Sequence, residues 1–95
     1  MDKRSIVTIS KFAEKQMRRL PKYIKEHFLV WAHAVEGTGI RKVRMLPGYH
    51  DEPLKGDRIG QRSVRLTRAY RVIYEESDRG ELTVVAVLEV THHEY

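Results

Sequence analysis

The sequence predicts an α+β fold in which a strand and two helices precede a three-stranded antiparallel meander. Apolar residues recur at helical spacing up to about residue 36 and, after a loop, alternate with a period of two. Strands joined by short turns pair antiparallel, and helices that precede them pack on one face of the sheet. The other face of the sheet would then be free to carry function.

A strand and a first helix begin the chain. Residues 5–9 contain closely spaced apolar side chains, as in a short strand. Ser10 is a good helix N-cap, because its hydroxyl can accept a hydrogen bond from a free backbone N–H of the first turn. Apolar residues follow at helical spacing as far as Leu20, and Pro21 ends this helix.

Pro21 also suits the first turn of a second helix, which runs to about Glu36 and stops at Gly37 and Gly39. Residues 40–46 form either a short third helix or an irregular basic segment. Residues 47–60 form a loop by composition, with three glycines and two prolines. The apolar stripe of the second helix consists of Ile24, Phe28, Trp31, Ala32 and Val35.

Three strands follow the loop, over residues 63–67, 69–76 and 81–91. Short turns at Thr67-Arg68 and at Ser77–Gly80 make two consecutive hairpins of them. The last strand is apolar on both faces, which predicts a central position in the sheet.

Length and composition limit the functions that the protein can have. Ninety-five residues suit one small domain over residues 1–95, with room for one core and no large substrate cavity. The absence of cysteine excludes a disulfide scaffold and any Cys-based zinc or redox site. No apolar run approaches the roughly 18 residues of a membrane span, and residues 1–9 lack a signal-peptide core. We therefore expect a cytoplasmic protein without a membrane partner.

The net charge of +5 indicates either a polyanionic partner, such as nucleic acid or the ribosome, or a merely basic surface. The charge is concentrated. Residues 37–71 hold nine basic and three acidic side chains, whereas residues 72–95 hold one basic and six acidic. The middle segment would therefore bind phosphate most tightly. The acidic side chains of the last segment would suit a strand edge, where charge prevents sheet-to-sheet pairing.

The loop over residues 48–62 collects acids, donors, aromatic residues and glycines. It lacks the Gly-Lys-Ser/Thr of a phosphate-binding loop, which argues against an NTPase. It is either a solvated connector or a segment whose glycines let the backbone approach a ligand.

Arginines recur along the strands that follow the loop. Arg65 alternates with Val64 and Leu66, which need the core, so Arg65 points to the open face. The face of Arg71 depends on a strand register that the sequence leaves open. Two guanidiniums on the open face would bind phosphate bidentately; alternatively, they pair with acids such as Glu75 or Glu89.

The C-terminal residues contain groups able to transfer protons. His92 and His93 can donate or accept a proton near neutral pH, and Tyr95 follows them. Adjacent strand residues point to opposite faces, so the two histidines cannot easily share a metal, and no metal or cofactor is expected. Only one of them should face the chemistry.

Three motifs in this order resemble the RelE/ParE superfamily of bacterial toxins, and most closely the RelE, YoeB and HigB toxins. They are Glu-Pro-Leu-Lys-Gly at 52–56, Ala-Tyr-Arg-Val-Ile-Tyr at 69–74 and His-His-Glu-Tyr at 92–95. The resemblance covers nearly all of the chain and is strongest over residues 47–95. It implies a toxin of a type II toxin–antitoxin system, an mRNA interferase that cuts messenger RNA in the ribosomal A site.

The resemblance also implies an active site. Glu52, Lys55 and Arg71 fall on the glutamate, lysine and arginine of YoeB-like members, and His93 and Tyr95 on their terminal histidine–tyrosine pair. An extra Glu94 separates the last two, so His92 and His93 both remain candidates for the histidine. Several relatives carry a basic residue near Thr67, which Arg65 or Arg68 would replace. The residues expected to contact RNA or phosphate are Tyr49, Arg58, Arg62, Arg65, Arg68 and His92.

The implied mechanism is metal-free general acid–base catalysis, in which the 2′-hydroxyl of the RNA attacks the adjacent phosphate. The implied partners are a cognate antitoxin, the messenger RNA, and the ribosome with its 16S RNA; the free protein would be a monomer, a homodimer or part of a toxin–antitoxin hetero-oligomer. Two alternatives remain: a ParE-like toxin that inhibits DNA gyrase without cutting RNA, and a non-catalytic RNA-binding module.

Overall fold

The structure, a computed structural model, describes residues 3–92. Its strands are β1 (Arg4–Ile9), β2 (Glu52–Pro53), β3 (Arg62–Arg65), β4 (Tyr70–Arg79) and β5 (Leu82–His92). Its helices are α1 (Lys11–Arg18), α2 (Lys22–Thr38) and α3 (Ile40–Val43), and single 3-10 turns lie at Pro47–Tyr49 and Gly56–Arg58.

All five strands form one sheet in the order β1-β5-β4-β3-β2. β1 runs parallel to β5, and the other neighbours are antiparallel. The predicted α+β class and the β3-β4-β5 meander are confirmed, and β5 is an interior strand between β1 and β4, as its two apolar faces predict. β2 is an addition: two residues of the predicted loop pair with β3 and extend the sheet.

The helix ends follow local chemistry. The Ser10 hydroxyl accepts a hydrogen bond from the Ala13 amide at 3.0 Å and donates one to the Leu88 carbonyl at 2.8 Å, which ties the start of α1 to β5. α2 continues through Gly37, two residues beyond the predicted end, because a glycine within a helix costs only about 1 kcal/mol. Gly39 has φ +102°, outside the helical region, and ends it.

The second hairpin is tighter than predicted. β4 continues through Ser77 to Arg79, and only Gly80 and Glu81 connect it to β5. Gly80 adopts φ +65°, which glycine tolerates without steric cost. β3 pairs with β4 only as far as Tyr74, so residues 75–79 pair with β5 alone among the described residues. The acidic side chains of this stretch thus border an open strand edge, as expected.

The core lies between the helices and one face of the sheet. Trp31 of α2 contacts Phe28 and Tyr74 of β4, with ring centroids 5.9 and 5.7 Å apart. No helix among residues 3–92 is long and apolar enough to cross a membrane. Fully buried side chains of this core are Ala13, Ile24, Phe28, Trp31, Val35, Ile40, Val43, Val64, Val72, Tyr74, Val85 and Val87.

Candidate active site on the open sheet face

The register between β3 and β4 places Arg65 and Arg71 opposite each other. Val64 and Val72 are also paired, and both are fully buried against the helices. Because successive strand residues point to opposite faces, both arginines lie on the face that the helices leave open. Arg65 is where the sequence predicts it, and the register now settles the face of Arg71.

Arg71 is held by three neighbours. Its Nε donates to the Ser63 hydroxyl at 2.5 Å, and its Nη2 donates to the His50 carbonyl and to Glu52 Oε1, each at 3.3 Å. The Arg71 side chain is only 13% exposed, whereas that of Glu52 is 65% exposed. The guanidinium is therefore fixed in orientation, and the carboxylate beside it is open to solvent.

Arg65 is less well satisfied. It is half-buried, and its Nε is inaccessible to solvent and lacks a hydrogen-bond partner within residues 3–92. A buried donor without a partner destabilises a fold, and like charges at opposite strand positions repel each other. A bound anion would relieve the second cost, since it would screen the charge of Arg65 from that of Arg71.

A cavity of about 380 Å³ opens beside Arg71. Ligand sites typically measure roughly 300–1,000 Å³, so the volume of this cavity lies in the range of a small-ligand site. Its lining mixes charged, hydroxyl and apolar groups: Glu52, Leu54, Arg58, Ser63, Arg71, Ile73, Glu89 and Thr91.

Glu89 enters this cavity because of an irregularity in β5. Ile73 pairs with Glu89 but Tyr74 pairs with Val87, so Leu88 is an extra residue in the ladder. The bulge lets Val87 and Val90 both face the core while Glu89 points to the open face. Arg58 Nη2 donates to Glu89 Oε2 at 2.9 Å. The sequence analysis predicts for Glu89 only an ion pair with an arginine. The position of this acid inside an apolar run is the feature that could have indicated a place in the site.

A second polar group lies behind the site. The Asp51 carboxylate, 1% exposed, accepts from Arg62 Nε through Oδ1 and from the Tyr74 hydroxyl through Oδ2, both at 2.6 Å. Burial, and then the hydrogen bond to Asp51, raises the pKa of Tyr74 well above its usual value. Burial lowers the pKa of Arg62, but the bond to Asp51 and its charge outweigh this effect and raise it.

Among the predicted catalytic residues, the structure brings Glu52 and Arg71 together. Lys55 is exposed in the same loop, and it is not among the residues that line the cavity. His93 and Tyr95 lie outside the described residues.

The predicted RNA-contacting residues divide between two faces. Arg58 lines the cavity and Arg65 lies on its face, while Arg68 is exposed in the β3–β4 turn. Arg62 does not reach the cavity, because it shares the side of Val64 and binds Asp51.

Tyr49 and His92 also lie away from the cavity. Tyr49 packs against the core. His92 pairs with Tyr70 across the two strands, and the adjacent pair on the same face is Val90 with Val72. The rings of His92 and Tyr70 meet edge-on, with centroids 4.9 Å apart. Alternation along β5 therefore turns His92 to the helix side, away from Thr91 and the cavity. Within residues 3–92, no group of three His, Asp or Glu side chains could hold a metal ion.

Residues 7–94 match the model of the ParE toxin of the type II toxin–antitoxin system parDE. Among curated proteins, none matches the sequence significantly.

Several solved structures share the fold. A YoeB/ParE toxin from Agrobacterium tumefaciens has a TM-score of 0.67 and 22% identity over 94% of this chain and 99% of its own. The toxin of an archaeal RelE–RelB complex from Pyrococcus horikoshii has a TM-score of 0.69 and 26% identity, with 97% and 96% covered. The YoeB dimer from Staphylococcus aureus has a TM-score of 0.70 and 17% identity, with 96% and 99% covered.

Proposed function

Because the chain belongs to the ParE toxin family of type II toxin–antitoxin systems, we propose that it is a toxin that cleaves messenger RNA on the ribosome. One observation carries this proposal above the others. Arg65 and Arg71 share the open face, and Glu52 bonds to Arg71 at the rim of a cavity of small-ligand size. The cavity thus combines anion-binding groups with an accessible carboxylate, the two functions that cleavage of a phosphodiester requires.

The proposed chemistry uses the RNA itself as nucleophile. The 2′-oxygen forms a bond to the adjacent phosphorus, and the bond from phosphorus to the 5′-oxygen breaks. Glu52, whose side chain is exposed, takes the 2′ proton; a histidine is the alternative base. Arg71 and Arg65 stabilise the charge that builds on the phosphoryl oxygens.

The remaining roles rest on the family resemblance alone. Lys55 would add a second cation at the phosphate, His93 would protonate the leaving 5′-oxygen, and Tyr95 would orient the phosphate or stack on a base. The product would end in a 2′,3′-cyclic phosphate or the 3′-phosphate formed when the ring opens.

The small size of the molecule supports dependence on the ribosome. The Cα radius of gyration is 12.7 Å, and the cavity measures about 380 Å³. A single domain of residues 1–95 could therefore not enclose a long RNA, and the ribosome would hold the messenger for it. We expect the protein in the cytoplasm, bound to a cognate antitoxin when it is inactive; one solved structure with this fold is itself a RelE–RelB complex.

Two other functions compete. The first is a toxin that inhibits DNA gyrase without cutting RNA, as the resemblance to ParE toxins implies; the family match is compatible with it. A plain RNA-binding module would use the same basic face without chemistry. The acid beside Arg71 favours the nuclease over both, because neither gyrase inhibition nor simple binding of phosphate calls for a carboxylate at that position.

Induced expression followed by mapping of messenger RNA ends separates the three functions, when combined with a gyrase supercoiling assay on the purified protein. The nuclease produces new 5′ ends within translated regions and leaves supercoiling intact. Inhibited supercoiling with intact messenger RNA would support the gyrase inhibitor. RNA binding without either effect would support the binding module.

A further inference from the structure

Asp51 lies between two residues that touch Arg71. The His50 carbonyl and Glu52 Oε1 both accept from Arg71 Nη2. Asp51 itself points away from the cavity, and its carboxylate is 1% exposed. This three-residue segment therefore has one side on the proposed site and the other in the interior.

The interior side is anchored in the best-packed part of the molecule. The Tyr74 hydroxyl and Arg62 Nε both donate to Asp51 at 2.6 Å. Tyr74 is fully buried and contacts Trp31, so its hydroxyl is a fixed donor. Arg62 directly precedes Ser63, whose hydroxyl holds the Nε of Arg71. The two donors to Asp51 thus come from the same two strands that carry the arginine site.

The exposed side of the segment has little else to hold it. β2 is only two residues long, and Glu52 and Pro53 are both exposed. His50 adopts the left-handed conformation, with φ +43° and ψ +47°, which costs a non-glycine residue free energy unless its surroundings enforce it. Besides the pairing of Glu52 with Ser63 and the hydrogen bond from the His50 amide to the Pro47 carbonyl, the bonds to Asp51 anchor this segment to the interior.

We propose that Asp51 is a positioning residue, which holds the His50 carbonyl and the Glu52 carboxylate against Arg71 in the geometry that RNA cleavage needs. The cleavage part of this inference rests on the proposed function; the positioning part does not. The pKa values of Tyr74 and Arg62 are raised above ordinary values that already lie above physiological pH, so both groups are protonated donors to Asp51.

The test compares Asp51→Asn with the wild type and with Asp57→Asn, a matched change at an exposed acid of the same loop. The first readout is the NMR exchange of the Arg71 Nη2 protons, which slows when hydrogen bonds hold the group. The second readout is the kcat and KM for cleavage of messenger RNA on programmed ribosomes. Thermal unfolding of each variant is followed in parallel.

Asp51→Asn should speed rotation of the Arg71 Nη2 group on the order of tenfold, since two hydrogen bonds loosen. It should lower kcat on the order of 10²-fold with KM nearly unchanged, as expected for misplaced catalytic groups. Asp57→Asn should match the wild type in both. A lower melting temperature with unchanged Arg71 exchange and kcat would show that Asp51 serves stability alone, and would overturn the proposal.

Two outcomes separate this inference from the proposed function. If the wild type does not cut RNA, the proposed function fails, and Arg71 exchange alone decides the positioning role. If Asp51→Asn does not fold, Tyr74→Phe takes its place, because it removes one donor and leaves Arg62. Faster Arg71 exchange in Tyr74→Phe supports the proposal, and unchanged exchange contradicts it.

Discussion

Arg65 and Arg71 lie at directly opposite positions of β3 and β4, yet of the two only Arg71 has a carboxylate within reach among residues 3–92. Two like charges at opposite strand positions destabilise a sheet by roughly 0.2–1 kcal/mol, and the unpaired Nε of Arg65 adds to this cost. Such an arrangement is typical of a site that binds an anion. A phosphate between the two guanidiniums would convert the repulsion into binding energy.

Arg65→Met should therefore raise the free energy of unfolding of the ligand-free protein by up to about 1 kcal/mol, since it removes the repulsion and the unpaired donor. The same change should abolish most of the stabilisation that inorganic phosphate gives the wild type in thermal unfolding. Arg79→Met, at the far end of β4, is the control and should respond to phosphate as the wild type does. Equal phosphate stabilisation in Arg65→Met and the wild type would exclude an anion site at this pair.

Glu52→Gln should lower cleavage about 10²–10⁴-fold, the usual contribution of a general base, without weakening RNA binding. Binding should even strengthen slightly, because a negative charge leaves the phosphate site. Glu75→Gln, an exposed acid of β4, controls for the change in net charge. Cleavage by Glu52→Gln at the wild-type rate would transfer the role of base to a histidine.

Glu89→Gln should tighten RNA binding, because it removes an acid from the cavity and releases Arg58 from its ion pair. An additional phosphate contact by Arg58 would steepen the dependence of log K on log salt by about 0.7 for single-stranded RNA. Equilibrium binding of a short RNA at several salt concentrations measures this slope. A slope unchanged from that of the wild type would show that Arg58 does not contact phosphate.

The stability of the protein should fall as the pH rises above about 10, partly through Tyr74. The pKa of Tyr74 is raised in the folded state by burial and by Asp51, so the unfolded chain releases this proton first. Between the two pKa values, the free energy of unfolding should drop by about 1.4 kcal/mol per pH unit from this group. Tyr74→Phe should show a shallower decline above pH 10, measured by denaturant unfolding. An identical decline in both proteins would contradict the raised pKa.

The periodicity of the sequence was sufficient to predict the class of fold, the meander and the interior position of β5, because the burial of one face determines which residues of an element are apolar. It also placed Arg65 on the open face, since Val64 and Leu66 need the core. The position of Arg71 required the register between two strands, which depends on contacts distant in the chain. Glu52 came from the family resemblance, and the structure supplied its bond to Arg71.

Other parts of the site could not be read from local pattern. The bulge at Leu88 interrupts the alternation of β5. Strict alternation would have placed Glu89 on the same buried face as Val87. The bonds from Asp51 to Arg62 and Tyr74 link positions 11 and 23 residues apart, which no spacing rule connects. Arg62 looked like a phosphate ligand because it belongs to an arginine series, whereas its strand position directs it to Asp51.

Arg71 is proposed to form the phosphate site of a ribosome-dependent nuclease. Cleavage of messenger RNA in programmed ribosome complexes, by the wild type and by Arg71→Ala, tests this proposal most directly, with Arg79→Ala as the control for lost charge. We expect cutting by the wild type and by Arg79→Ala, and a loss of cleavage on the order of 10²–10³-fold in Arg71→Ala, as for removal of a fixed donor to a developing charge. Equal cutting by Arg71→Ala and the wild type, or no cutting by either, would contradict it.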